Sequence, residues 1–335
     1  MIALMATDRD KCLDYMKFIA AVLVIVGHSI QYSGVLNTNK GFGFIYLVIY
    51  SFHMPLFAMI SGFLLYKSIE RRGALHALRG KVLLLIPIVI YSIPVFFTRG
   101  VFIPSEGLLL NLRHFIGFIM IGNGLIWFLP VIFICSLILI IISRVKYCDI
   151  LILVSATSSV VWISNYFISL LAFIYVFCSI GFICAKYGLR EKANKLVYTG
   201  CSVIYILLLF FYKRQYLIYN GEWGIIGADL PLRVLAIDLF RVVIGLVGCI
   251  TMYGLVKMSH FGNKDVKALI GLISKNTLGT YCISNLVFEY VTPYFRNVNV
   301  YVVFGCLLFI ACIISVLSCA VFDKNRYLRI AFLGH

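Results

Sequence analysis

The sequence is a succession of apolar runs, each about as long as the ~20 residues an α-helix needs to cross the hydrocarbon of a bilayer. Hydrophobic residues make up 62% of the chain and charged residues 13%. The charged share is about half that of a water-soluble domain, too little to cover a water-facing surface. The expected fold is therefore all-α, a polytopic bundle of transmembrane helices forming a single integral-membrane domain over residues 1–335. Hydropathy predicts about ten spans, near 15–35, 43–66, 80–97, 124–143, 149–164, 166–185, 196–212, 234–257, 269–291 and 298–322. The N-terminal MIALMATDRDKCLDYMKF lacks a short apolar core followed by a small-residue cleavage site, so the first span reads as a retained helix.

Basic residues are distributed unevenly between the two sets of connections. Counting alternate loops gives 20 Lys and Arg on the side of Lys17, Arg71, Arg72, Arg79 and Lys81, and seven on the other, with Arg241 and Lys275 inside spans. The positive-inside rule then makes both termini cytoplasmic and the number of spans even. The net charge of +16 is accounted for by this pattern and not by one basic patch interleaved with aromatics, which argues against nucleic acid as a partner. The eleven cysteines, mostly in apolar segments and without a CxxC pair, read as small hydrophobes. Two outer connections are long. One, 98–123, carries LLLNLRHFIGFIMIG, too short and polar to span comfortably and expected to lie as an interfacial or re-entrant helix. The other, 212–233, mixes charges and aromatics, a composition shared by interfacial belts and sugar-binding rims.

Ionisable side chains inside such spans are costly and mark candidate sites. In DYMKFIAAVLVIVGHSIQY, ten residues separate Lys17 from His28, so the lysine lies near the cytoplasmic face and the histidine about 16 Å further out. The second span returns inward and brings His53 to a similar depth, with Ser29, Gln31, Tyr32 and Ser61 nearby. Pro55 and Gly62 suit a bent, closely packed helix. Asp238 and Arg241, three apart in the eighth span, form an expected intrahelical ion pair that shapes an outer-leaflet polar pocket. In the ninth span, Lys275 either snorkels to the surface or joins Lys17 and the basic second loop in a cationic vestibule for a phosphorylated donor, with Tyr281 deeper.

Four segments carry a resemblance. KFIAAVLVIVGH has a basic residue, ten intervening residues and a histidine. HMPLFAMISGFLLYKS begins at His53, IWFLPVIFI contains Trp127, and SKNTLGTYCISN runs from Ser274 to Asn285. Together these resemble the acyltransferase-3 family of integral-membrane acyltransferases, which includes many bacterial O-acetyltransferases of surface polysaccharides. Two positions depart from its pattern: Lys17 stands where arginine is usual, losing the planar bidentate fork, and Ser284 stands where many members have histidine.

The resemblance implies a multi-pass protein of the bacterial inner membrane. It would take an acetyl or other acyl group from acyl-CoA on the cytoplasmic side to a sugar hydroxyl of a polysaccharide or lipid-linked glycan, with acetyl-CoA as donor substrate and no permanently bound cofactor. His28 would be general base or acyl carrier, His53 would assist, and Ser61 or Tyr281 would donate to the oxyanion. Lys17, Ser61, Trp127, Asp238, Arg241, Lys275 and Tyr281 are the expected substrate-binding set. No metal is expected, because two histidines without a third ligand make a poor zinc site. The residues alone also suit a transporter or flippase using the buried histidines, or a scaffold for a polysaccharide assembly, and they leave homo-oligomerisation open.

Overall fold

The computed structural model describes residues 10–120, 126–159, 166–220, 223–224, 230–259 and 264–335, and among them every regular element is helical. The order is α1 (Lys11–Ser33), α2 (Lys40–Arg72), α3 (Ala74–Val82), α4 (Leu85–Thr98), α5 (Leu108–Met120), α6 (Phe128–Ile142) and α7 (Cys148–Ser158). It continues with α8 (Tyr166–Lys186), α9 (Leu189–Lys192), α10 (Lys195–Phe211), α11 (Pro231–Met258), α12 (Lys264–Lys275), α13 (Thr277–Val291), α14 (Val300–Phe322) and α15 (Arg326–Leu328). A helix satisfies its own backbone hydrogen bonds, which is why apolar runs of this length adopt it where no water is available. Polar residues mark the ends. Asp10 accepts from the Leu13 N–H at 3.1 Å to open α1, and Asn39 caps α2 through the N–H groups of Gly41 and Phe42.

Among the described residues, six helical stretches are long and apolar enough to cross a membrane: Lys11–Ser33, Lys40–Arg72, Ala74–Thr98 (α3 running on into α4), Tyr166–Lys186, Pro231–Met258 and Val300–Phe322. The expected spans at 124–143, 149–164 and 196–212 correspond to shorter apolar helices, α6, α7 and α10. Residue 124 and the tight turn near 165 lie outside the described residues. The ninth expected span is not one helix. It divides into α12 and α13 at Asn276, which hydropathy averaging passed over. Asn276 is fully buried and its Oδ1 lies 2.8 Å from Nε2 of His335. The Thr277 hydroxyl donates to the Ile273 and Ser274 carbonyls at the same point. The terminal segment fills this break: Tyr91 donates to the Phe332 carbonyl at 3.1 Å, and Phe332 stacks on Phe322 at 4.6 Å. The α5 helix, at 13 residues, is shorter than a crossing. It exposes Leu108, Leu109, Leu112 and Ile116 and buries Asn111, whose amide clasps the backbone of Ile103 and Glu106.

The centre of the bundle is the crossing of α2 and α8. A Cβ on Gly62 would collide with the Cys178 carbonyl, and one on Gly181 with the Met59 carbonyl. Only two glycines let these backbones touch, the small-residue solution used between membrane helices. Phe177 and Phe182 of α8 are wholly buried around it. This crossing sets α2 in the middle of the molecule, with α1 and α11 against it.

Candidate active site

The site grows from one face of α1. Eleven residues are three helical turns, so Lys17 and His28 lie on the same side of the helix, with Tyr32 one further turn along. Across from it on α2, Tyr46, Tyr50 and His53 also share a face. The two histidines meet through Tyr50. Its ring centroid is 4.7 Å from that of His53 and 6.3 Å from that of His28, edge-on to both. The Tyr50 hydroxyl donates to Gln31 Oε1 at 2.9 Å, tying α2 back to α1. Tyr46 stacks on the far side of Tyr50 at 4.0 Å.

The two imidazoles are held differently. Nδ1 of His53 is 2.8 Å from the Ile49 carbonyl, one turn back in its own helix. Donating there fixes the tautomer and leaves Nε2 as an acceptor. His28 has no backbone anchor: its Nδ1 is closed off from solvent and has no partner in hydrogen-bond geometry, with Gln31 the polar side chain that interacts with the ring. Its ring is surrounded by aromatics, 5.8 Å from Phe288 and 6.1 Å from Tyr32. A polar nitrogen left without a partner in such a setting is expensive, and it is the kind of group a substrate hydroxyl completes.

Toward the Lys17 end, a cavity of about 160 Å³ opens between α1, α2, α3, α6 and α13. Lys17, Ser61, Lys81, Thr277 and Tyr281 supply its polar groups, and the rest of the wall is apolar, including Met54 and Phe128. It gathers three of the residues singled out from sequence, Lys17, Ser61 and Tyr281. The histidines are not in its lining, but Met54, next to His53 in the chain, is. Lys81 was read from the sequence only as a topology charge. Its signal was its place directly before the apolar run VLLLIPIVIYSI, which sets a basic group in the last turn of α3 just ahead of α4. Among the described residues no carboxylate lines the cavity, and Lys17 pairs with Asp14 at 3.9 Å. Two ammonium groups in an apolar recess favour an anion.

The remaining candidates lie elsewhere. Trp127 is buried at the start of α6, edge-on to Tyr219 at 5.7 Å, and Tyr219 is in turn edge-on to Tyr50 at 5.8 Å. Asp238 and Arg241 form the expected pair at 2.6 Å, and both also hydrogen-bond to backbone. Asp238 accepts from the Gly224 N–H at 3.0 Å, and Arg241 donates to the Tyr216 carbonyl at 2.7 Å. They therefore moor the connection after α10, which carries Tyr219 to Tyr50. Glu222 and Asp229 of that connection lie outside the described residues. Lys275 pairs with Asp323 at 2.7 Å, away from the cavity. Ser284 donates to the Tyr281 carbonyl at 3.0 Å, one turn back in its own helix.

Comparison with known proteins bears on this arrangement. A family model described as an acyltransferase domain, of the acyltransferase-3 type, matches residues 10–322. The nodulation protein NolL of Sinorhizobium fredii (strain NBRC 101917 / NGR234) is 39% identical over 88 residues, covering 26% of this chain and 24% of that protein. The chain thus matches about a quarter of the length of this curated relative. No solved structure matches.

Proposed function

The chain belongs to the acyltransferase-3 family, and from that premise we propose that it moves an acetyl or other short acyl group from acyl-CoA to a sugar hydroxyl of a surface polysaccharide or lipid-linked glycan precursor. The observation that carries this reading is the position of His28, three turns along one face of α1 from a recess holding two lysines. The donor's phosphates sit at Lys17 and Lys81, at the cytoplasmic end of a bundle with about ten crossings and both termini cytoplasmic, in a bacterial inner membrane. Its thioester arm enters beside Met54 toward the histidines. The acceptor hydroxyl gives its proton to His28 and its oxygen attacks the thioester carbonyl. The new C–O bond forms as the C–S bond breaks, and the proton held by His28 passes to the leaving thiolate. His53, with Nδ1 committed to Ile49, is itself held in one tautomer and braces Tyr50 against His28. The Tyr281 or Ser61 hydroxyl donates to the developing oxyanion.

Two variants test the two ends. Membranes containing the His28→Ala protein should lose acetyl transfer from labelled acetyl-CoA to cell glycan by about 10²-fold or more. The Lys81→Met protein should raise the donor KM with little change in kcat, because a phosphate contact is made equally in ground and transition states. Full transfer by His28→Ala would remove the histidine from the mechanism, and an unchanged donor KM in Lys81→Met would remove the lysine from the donor site.

A further inference from the structure

At the other end of α1 a second pocket, of about 520 Å³, opens between α1, α13 and α14. Its size is within the range of small-ligand sites. Tyr32 makes its aromatic wall, backed by the wholly buried Phe288 on which it stacks at 5.5 Å with 19° between the rings, and both rings also contact His28. Glu289 lines the pocket next to Phe288, and its carboxylate is held by Arg99 through two 2.8 Å hydrogen bonds. A carboxylate has about four acceptor sites, so two remain for a ligand while the guanidinium fixes its direction. Thr292 adds a buried hydroxyl oxygen with no hydrogen-bond partner, and Arg296 is exposed at the mouth.

An aromatic wall beside an oriented carboxylate and an unmatched hydroxyl is the combination that takes a pyranose ring, whose apolar face lies on Tyr32 while its hydroxyls pair with the polar groups. We propose that this pocket is the acceptor subsite, binding one hexose unit so that a hydroxyl passes the Tyr32–Phe288 pair toward His28. The inference rests on the acyl-transfer reading for what happens next, but binding itself does not require His28 to act.

That separation sets the experiment. The full chain in detergent or nanodiscs is titrated with methyl glucoside, methyl galactoside and methyl N-acetylglucosaminide by saturation-transfer NMR, with glycerol as control. At least one hexoside should bind. Affinity should fall on the order of tenfold in Thr292→Val, which keeps the shape and removes the hydroxyl, and in Phe288→Leu, while Gly200→Ala, on α10 away from the pocket, binds as the wild type does. Should Phe288→Leu fail to fold, the near-isosteric Thr292→Val carries the comparison. No hexoside binding above the glycerol control, or affinity unchanged in the pocket variants, overturns the subsite. Pocket-dependent binding together with full acetyl transfer by His28→Ala would uphold the subsite and defeat the proposed role of the histidine.

Discussion

At the level of single residues, the histidines were legible because depth in a membrane helix follows from counting, and two matched depths on consecutive antiparallel helices imply neighbours. Tyr50 was not legible, although it touches both rings, because an aromatic in an apolar span looks like any other core residue. Its consequence is testable. Tyr50→Phe keeps the ring between the histidines and removes the hydroxyl bonded to Gln31. It should lower kcat by roughly fivefold, about one hydrogen bond, while leaving both KM values in place. The Asp238–Arg241 pair makes a different kind of residue-level prediction. Asp238 is wholly buried, so Asp238→Leu strands an uncompensated guanidinium and should cost about 3–5 kcal/mol. Adding Arg241→Met should recover much of that loss in thermal unfolding in detergent, because two apolar groups bury more cheaply than one charge. The double variant also loses the moorings at Tyr216 and Gly224, so its activity should stay low even where its stability returns.

At the level of elements, apolar length announced the helices, and small residues announced where two could approach. What hydropathy averaged away was the break between α12 and α13. A window of about 20 residues smooths over one buried asparagine, and nothing local to Asn276 reveals that His335 reaches it from the far end of the chain. Lys275 posed the same difficulty, since Asp323 is 48 residues away in sequence. The α2–α8 crossing is where an element-scale change should matter most. Gly62→Ala and Gly181→Ala each put a methyl group into a carbonyl of the facing helix and should cost about 1–3 kcal/mol or more. Gly200→Ala, in α10 with nothing near its added Cβ, should be neutral or gain about 0.5–1 kcal/mol. Melting by fluorescence-detected size exclusion ranks the three. Equal melting temperatures would mean that α2 and α8 do not meet through these glycines.

At the level of the whole molecule, the two pockets and the charge bias make one statement about direction. Lys17 and Lys81 mark one end of the bundle, while Tyr32, Glu289 and Arg99 mark the other, roughly 20 Å away along α1. An acyl-CoA donor is made in the cytoplasm, so the proposed chemistry works only if the two-lysine end faces inward, the side to which the ten-span reading of the sequence assigns 20 of the basic residues against seven. Cysteine labelling in whole cells reads this directly. Lys213 at the end of α10 and Lys324 at the end of α14 are both exposed, and the native cysteines are all buried or half-buried. With the half-buried cysteines replaced by alanine, Lys213→Cys should react with a membrane-impermeant maleimide on intact cells, and Lys324→Cys only after permeabilisation. The opposite pattern would point the two-lysine cavity away from the thioester pool and leave His28 without a donor, whatever its surroundings. The same side for both positions would instead make the number of crossings between them even and displace the second pocket from the outer face. The orientation therefore has to hold before either pocket can be assigned its substrate.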